Sequence, residues 1–447
     1  MLHALLAPVD AAWLAGLRVM FGLLLCVSML RFVAYGWVDR FFVEPRFHFK
    51  YWGFSWVQPL PAAAMHGLFW ALAGLSLLVA AGAMYRISSL LLAAGLTYIQ
   101  LIDVTTYLNH YYLAALIAWL LAFTPAQRVW SIDAWRAPAL STVPRGVLYL
   151  FRFQVGVVYV CAGLAKLQSD WLLHAQPLRI WLGSSVDLPV IGEMLRLPGV
   201  PLALSWAGFV FDSSIVLWLS LRRTRPYAYA LLLVFHAVTR LLFPIGMFPV
   251  IMSCAALVFF SPGWPRRVVA LVGRRPLAAA ASGMTIGAPR RVGLGLGMLY
   301  CVVQLILPLR FVAYGENVLW HEQGMRFSWR VMVRAKGGDV TFVVREPSGR
   351  TFHVSPRAYL TGLQESEMSS QPDLVLQLAH HIARDFEQRG RGQVAVFADA
   401  RVALNGRRSR PMIDPTVDLT QVHDGLAPAS WILPAPQSPP PHTRAVR

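Results

Sequence analysis

Lys166 closes an apolar run, Val155 to Lys166, that carries no other charge. An ammonium is expensive to desolvate there, which makes an ionisable residue inside a membrane segment a functional-site candidate. Removal from water favours the neutral amine, the form that accepts a proton as a general base. A lysine near a helix end also snorkels to the headgroups, so the residue taken alone leaves both readings open. Other apolar segments hold Arg18, Asp103, Asn109, His110, Arg152, Gln154, Asp212, His236 and Arg240. Each has a structural explanation when taken singly. Arg18 and Arg152 read as paired cations, Asp103 and Asp212 as their counter-ions, and His110 as an interfacial residue. Together they point to a buried reaction chamber or a transport path, because charge at such depth must pair, line a wet cavity or act.

Other chemistries find no support in the sequence. There is no Gly-rich phosphate loop and no HExxH pair. The cysteines Cys26, Cys161, Cys254 and Cys301 all lie in apolar segments, and no Cys/His spacing suggests zinc, so no metal site is expected. Residues 47–56 concentrate aromatics: Phe47, Phe49, Tyr51, Trp52, Phe54 and Trp56. They read as an interfacial belt, or as the way in for a flat lipid-soluble ligand such as a quinone.

The elements that must position these residues are mostly membrane helices. The chain of 447 residues is 56% hydrophobic and only 14% charged. Apolar stretches near 12–34, 66–84, 88–107, 111–124, 147–166, 201–220, 226–243, 246–260 and 293–313 predict an all-α bundle of about nine transmembrane helices. Re-entrant segments fit 35–65 and 167–200. The first stretch, about 11–33, reads as a transmembrane helix and not as a cleavable signal.

The net charge of +18 is explained by topology, and no nucleic-acid partner is expected. Arg86, Arg128, Arg136, Arg145, Arg222, Arg223, Arg225, Arg266, Arg267, Arg274, Arg275, Arg290 and Arg291 fall in one set of alternating loops. The other set holds Arg40, Arg46, Lys50, Arg179 and Arg196. The positive-inside rule makes the first set cytoplasmic. With nine spans the N-terminus is cytoplasmic and the C-terminal part exported; an even count reverses that placement.

From 315 the composition changes. Residues 340–344 and 351–354 flank Pro347-Ser348-Gly349 and predict a β-hairpin. Residues 372–388 have helical apolar spacing, and 393–398 read as a further strand. The expected organisation is a membrane domain at 1–314, a soluble α+β domain at 315–432 and a disordered Pro-rich tail at 433–447.

The ordered motifs resemble the vitamin K-dependent γ-glutamyl carboxylase family, including its bacterial relatives with the horizontally transferred transmembrane domain. The resemblance runs from about Leu14 to about Pro434. It is carried by Tyr85-Arg86-Ile87-Ser88, Asn109-His110-Tyr111-Tyr112-Leu113, Trp130-Ser131-Ile132-Asp133 and Ala162-Gly163-Leu164-Ala165-Lys166-Leu167 with Asp170-Trp171. Phe235-His236, Phe243-Pro244-Ile245-Gly246-Met247-Phe248, Ser261-Pro262-Gly263-Trp264-Pro265-Arg266 and Phe327-Ser328-Trp329 with Met332-Val333 follow in order.

The resemblance implies a lyase reaction coupled to quinol epoxidation. Reduced vitamin K, as phylloquinol or menaquinol, is oxidised by O2 to its epoxide. The strong base formed on the way takes a γ-proton from a glutamate side chain, and the carbanion captures CO2. Lys166 is implied as the initial base, with His110 and Asn109 assisting. Arg152, Gln154, His236 and Asp212 are implied to line the chamber, and Trp320, Ser328 and Trp329 to hold the glutamate. The partners implied are membrane lipid, a quinone and a glutamate-containing peptide or protein.

The departures fall mainly on the glutamate side. Ala165 replaces the first of the vertebrate lysine pair. Met325 and Phe327 replace tyrosines, Arg334 stands where the vertebrate form has histidine, and no cysteine follows Cys301 for the vertebrate luminal disulfide. A quinol epoxidase without protein carboxylation is therefore the second expectation. A non-enzymatic quinone- or lipid-binding protein, or a transporter, is the third.

Overall fold

The computed structural model describes residues 2–136, 140–183, 192–195, 197–271 and 289–441. Arg196, Arg274 and Arg275, counted above among the loop charges, lie outside them, as do 442–447 of the tail. The membrane part contains α1 (Ala12–Ala34), α2 (Ala62–Ala81), α3 (Tyr85–Ile102), α4 (Asn109–Ala122), α5 (Arg145–Lys166), α6 (Val200–Ser220), α7 (Arg225–Leu242), α8 (Phe248–Ala255), α9 (Trp264–Leu271) and α10 (Pro289–Leu309). Six spans are long and apolar enough to cross a membrane: α1, α2, α3, α5, α6 and Val292–Tyr314. A seventh arises if Phe248–Phe259 and Trp264–Leu271, bent by 106°, count as one.

The expected nine spans are therefore not met among the described residues. The 111–124 stretch forms α4, whose 14 residues fall short of the roughly 17–25 that a crossing needs. The 226–243 stretch forms α7, which carries Arg225, His236 and Arg240 and is less apolar than the six. The 246–260 stretch runs as α8 and a following 3-10 turn only from Phe248 to Phe259 before the 106° bend.

At one end of the bundle a short antiparallel pair, β1 (Pro8–Asp10) with β2 (Thr142–Pro144), ties the N-terminus to the start of α5. Asp10 pairs with Arg266 at 2.8 Å. Gly82 ends α2 at φ +66, with the Gly82 and Ala83 amides donating to Val79 and Leu78, a Schellman closure that needs the left-handed region. Arg18 lies against it and donates from Nη2 to the Trp130 carbonyl at 2.7 Å. Asp133 accepts from the Met84 and Tyr85 amides.

The C-terminal part is α+β, as expected. Its antiparallel sheet has the order β4 (Thr351–Val354), β3 (Lys336–Arg345), β5 (Ala395–Leu404), β6 (Arg410–Pro411). The hairpin pairs Phe342 with Val354 and Val344 with Phe352. One sheet face buries Val340, Phe342 and Val344 together with Val396, Ala398, Ala400 and Val402, the period-2 pattern of a half-covered sheet. Two helices cover this part, α11 (Gly362–Met368), opened by a Thr361–Gln364 capping box, and α12 (Pro372–Gln388). α12 turns Leu374, Val375, Leu378, Ile382 and Phe386 inward. The tail expected to be disordered from 433 is packed at its start: the Leu433 carbonyl accepts the Trp320 indole N–H at 2.7 Å, its amide donates to Met412 O, and Ala435 is buried.

Three sets of polar contacts fix this domain to the end of the bundle opposite β1 and β2. Gln364 donates to Asp103 Oδ2 at 2.8 Å, while Asp103 also caps Thr105. The Gln377 amide meets both backbone groups of Lys50 at 2.8 and 2.9 Å. Arg407 grips Asp170 with two hydrogen bonds of 2.6 Å, and Asn405 adds a third of 2.8 Å. Asp103, read above as a counter-ion of Arg18 or Arg152, pairs with neither; it meets His48 Nδ1 at 3.2 Å and joins a helix end to α11. Phe47 and Phe49 belong to the same junction, with Phe49 fully buried and Phe47 against His381. Trp52, Phe54 and Trp56 are exposed, as an interfacial belt requires.

Candidate active site and its connected cavities

Lys166 ends α5, and its position depends on Gly163 one turn earlier. A Cβ on Gly163 would lie 2.6 Å from Ser213 Oγ and 2.9 Å from the Ser213 nitrogen. The bare glycine lets α5 lie against α6 and brings Lys166 opposite Asp212. Lys166 Nζ donates to Asp212 Oδ2 at 2.7 Å and to the Ala162 carbonyl at 3.3 Å. Both side chains are more than nine-tenths buried, at 7% and 9% exposure. Lys166, read above without a partner, is thus one half of a buried pair. That pair carries no net charge in either of its proton arrangements, ammonium with carboxylate or amine with carboxylic acid. Only the second leaves a lone pair on Nζ to accept a proton.

The pair borders a small apolar pocket of about 140 Å³ that also takes in Trp171, Phe235, His236 and Phe248. The Trp171 ring centre is 5.2 Å from Nζ, a cation–π distance. His236 Nε2 is 2.9 Å from the Tyr159 hydroxyl. Its Nδ1 is buried with no hydrogen-bond partner among the described residues.

Ile245, Phe248, Val331 and Met332 divide this pocket from a larger cavity of about 520 Å³. Aromatic and aliphatic side chains dominate its wall, among them Phe32, Trp37, Phe41 and Tyr111, with Glu367, Arg31, His110, Asn109 and Gln100 among the polar exceptions. His110 is buried and makes no hydrogen bond among the described residues; its ring packs on Tyr111 at 4.4 Å. Asn109 Oδ1 accepts from the Tyr107 hydroxyl at 3.0 Å. None of the six aromatics at 47–56 lines this cavity; Tyr51, Trp52 and Phe54 line a separate cavity of about 860 Å³ beside Arg326 and Asp373.

A third cavity, about 700 Å³, lies between the bundle and the C-terminal domain. It shares Thr105, Tyr107, Leu108, Asn109, Met332 and Glu367 with the second. Its wall carries four cations, Arg326, Arg330, Arg334 and Lys336, against Glu322 and Glu367. Arg326 is held by Asp373 at 2.6 Å. Glu322 holds Arg334 at 2.5 Å and Lys336 at 3.2 Å. Arg330 lies 3.9 Å over the Phe311 ring and has no acidic partner among the described residues. Burial pushes the Lys336 amine down to about 8 against the pull of Glu322, and burial raises the Glu367 carboxyl.

The segment from Phe327 to Met332 is strained. Phe327, Trp329 and Met332 have φ of +62, +57 and +53, each a left-handed conformation costing on the order of 1–3 kcal/mol for a non-glycine residue. Packing enforces it. Trp329 is fully buried and stacks on Tyr112 at 4.9 Å, and the Phe327 amide donates to the Tyr107 hydroxyl at 2.9 Å.

The expected site residues therefore divide. Lys166, Asp212 and His236 surround the small pocket, and His110 and Asn109 the larger one. Arg152 and Gln154 line neither, because they sit 14 and 12 residues up α5 from Lys166, roughly 21 and 18 Å along the axis at 1.5 Å per residue. Arg152 instead donates to the carbonyls of Val258, Phe259 and Phe260, and Gln154 accepts from Tyr300. Trp320, Ser328 and Trp329 also line none of the three cavities. Trp320 and Trp329 are fully buried scaffold, and the Ser328 hydroxyl turns back to the Met325 carbonyl. Of the residues that line the third cavity, Met332 and Arg334 were named in the sequence only as a motif residue and a departure, and Arg326, Arg330 and Lys336 were not singled out. Four cations within residues 326–336 were the available signal.

Fold and site together define a multi-pass membrane protein whose C-terminal α+β domain closes a chain of cavities in the helix bundle. Residues 6–264 match the family model described as HTTM domain, and residues 289–438 match the lumenal domain of vitamin K-dependent gamma-carboxylase. The chain belongs to the vitamin K-dependent gamma-carboxylase family. No solved structure matches it.

Proposed function

We propose that this chain is a membrane γ-carboxylase-like enzyme that couples oxidation of a reduced naphthoquinone to its epoxide with carboxylation of glutamate side chains. One observation carries the reading: the lysine pocket, the apolar His110 cavity and the cation-lined cavity adjoin in series through shared walls. The middle cavity suits a flat apolar quinol, with aromatic walls and few polar groups, and His110 is open to a ligand. When bound, the quinol and O2 supply a base strong enough to take a glutamate γ-proton.

The chain's own groups do the rest. Lys166 Nζ accepts a proton when Asp212 holds the carboxyl proton of the pair. His110 and Asn109 orient the ligand by hydrogen bonds. Arg330, Arg334 and Lys336 hold the substrate carboxylate by charge-assisted hydrogen bonds, so that the γ-carbon points to the junction at Asn109. The apolar walls keep out water, which would quench a strong base. No resident metal takes part in this reading. The loops at the β1–β2 end, opposite the C-terminal domain, carry Arg86, Arg128, Arg136, Arg145 and Arg266, which argues for a cytoplasmic N-terminus, an exported C-terminal domain and the odd count of seven spans that the bent pair gives.

The test is turnover by detergent-purified protein given reduced vitamin K, oxygen, labelled bicarbonate and a glutamate peptide. Epoxide together with labelled peptide is the expected result. Epoxide alone would favour a quinol epoxidase, and neither product would overturn the reading.

A further inference from the structure

Met332 is the one residue that the three cavities have in common. The lysine pocket and the cation-lined cavity meet nowhere else along their walls. Its backbone is held at φ +53 between two anchors, the fully buried Trp329 and the fully buried Val333. A hydrogen bond from the Val331 amide to the Trp329 carbonyl at 2.9 Å tightens the turn between them. Strain of this kind persists only where the surroundings over-determine it. Here it falls on the residue at which the three cavities meet. The side chain is a thioether, unbranched and with three rotatable bonds, so it fills an irregular gap and moves aside without moving the backbone.

We propose that Met332 is the partition of the reaction chamber. Its side chain separates the carboxylate-binding cavity from the lysine pocket and completes the wall that Thr105, Tyr107, Leu108, Asn109 and Glu367 form between the carboxylate-binding and quinol cavities, and it yields when a glutamate side chain arrives. It is a positioning residue: it governs whether the quinol side opens to the γ-carbon or to water that enters with the peptide. The inference rests on the reaction proposed above and adds to it the residue that couples the two halves.

The test uses Met332→Cys in the full chain with Cys26, Cys161, Cys254 and Cys301 replaced by alanine. The rate of thiol alkylation by N-ethylmaleimide is measured alone, with a 2,3-disubstituted naphthoquinone (which does not arylate thiols), and with a glutamate pentapeptide. Binding of each ligand is followed separately by tryptophan fluorescence. The expected result is that each ligand, on its own, slows alkylation several-fold. If both bind and only one or neither protects, Met332 does not stand between their sites and the partition is overturned while the reaction stands. If neither binds, both the reaction and the partition are overturned. A second arm compares epoxide formed per glutamate carboxylated. Met332→Ala should raise this ratio several-fold and Met332→Leu, which restores the bulk, should return it toward that of the unaltered chain. An unchanged ratio in Met332→Ala would also overturn the partition.

Discussion

A buried lysine 2.7 Å from a buried aspartate is a pair that neither residue leaves cheaply. Removing one partner strands a charge and costs about 3–5 kcal/mol, whereas replacing both with apolar groups of similar size is often neutral. Lys166→Ala and Asp212→Ala should each lower the melting temperature in detergent, and Lys166→Leu/Asp212→Leu should recover most of the loss while staying inactive. Full stability of either single variant would contradict the buried pair. Lys336 carries a second prediction. Its amine is held near 8 in place of the usual 10.5, so it is a cation below that pH and neutral above. Affinity for a glutamate peptide should therefore fall as pH rises through about 8, and Lys336→Arg should flatten the profile between pH 7 and 9. Lys166, His110 and Asn109 stood out as candidates because their neighbours form ordered motifs, and the fold places them on adjoining cavities. The partnership of Lys166 with Asp212 was not, since 46 residues separate them and only the packing of two helices joins them. The burial of Trp320 and Trp329 away from the three cavities could not be foreseen, because a buried scaffold aromatic and a binding aromatic look alike in a sequence.

Helix contacts set the distances that the chemistry needs. Gly163 permits the approach of α5 to α6, and Gly163→Val would drive a branched side chain into the Ser213 backbone. Overpacking of this kind costs about 1–3 kcal/mol, and here it should also part Lys166 from Asp212. Both stability and lysine-dependent turnover should fall, and retention of turnover would show that the close approach is dispensable. Element type was mostly readable from periodicity: α12 appears at 372–388 as its apolar spacing requires, and the hairpin at 340–354 follows its turn residues. Span count was not. Apolar stretches near 111–124 and 246–260 resemble crossings in composition, but one folds as a 14-residue helix and the other breaks into shorter pieces.

At the level of the whole molecule, the C-terminal domain is a wall of the chamber as well as an appendage. Arg407 reaches from it to Asp170, four residues beyond the catalytic candidate, through two hydrogen bonds of 2.6 Å. Arg407→Ala should loosen this contact, make the 315–441 region more susceptible to limited proteolysis, and reduce carboxylation more than naphthoquinone binding. Equal loss of both would mean that the domain supports the bundle and not the cation-lined cavity alone. The two-part organisation was visible in the change of composition near 315, but the cavity between the parts was not. Its cations come from the segment that joins the parts, and it exists only once the domain is docked.

The lysine dependence of epoxide formation decides most between these readings. Epoxide and incorporated CO2 are measured in one reaction for the unaltered chain and for Lys166→Ala, with folding checked by naphthoquinone binding. Loss of both products with binding intact is the predicted result. Epoxide formation undiminished in Lys166→Ala would contradict Lys166 as the base and leave the Lys166–Asp212 pair a structural one.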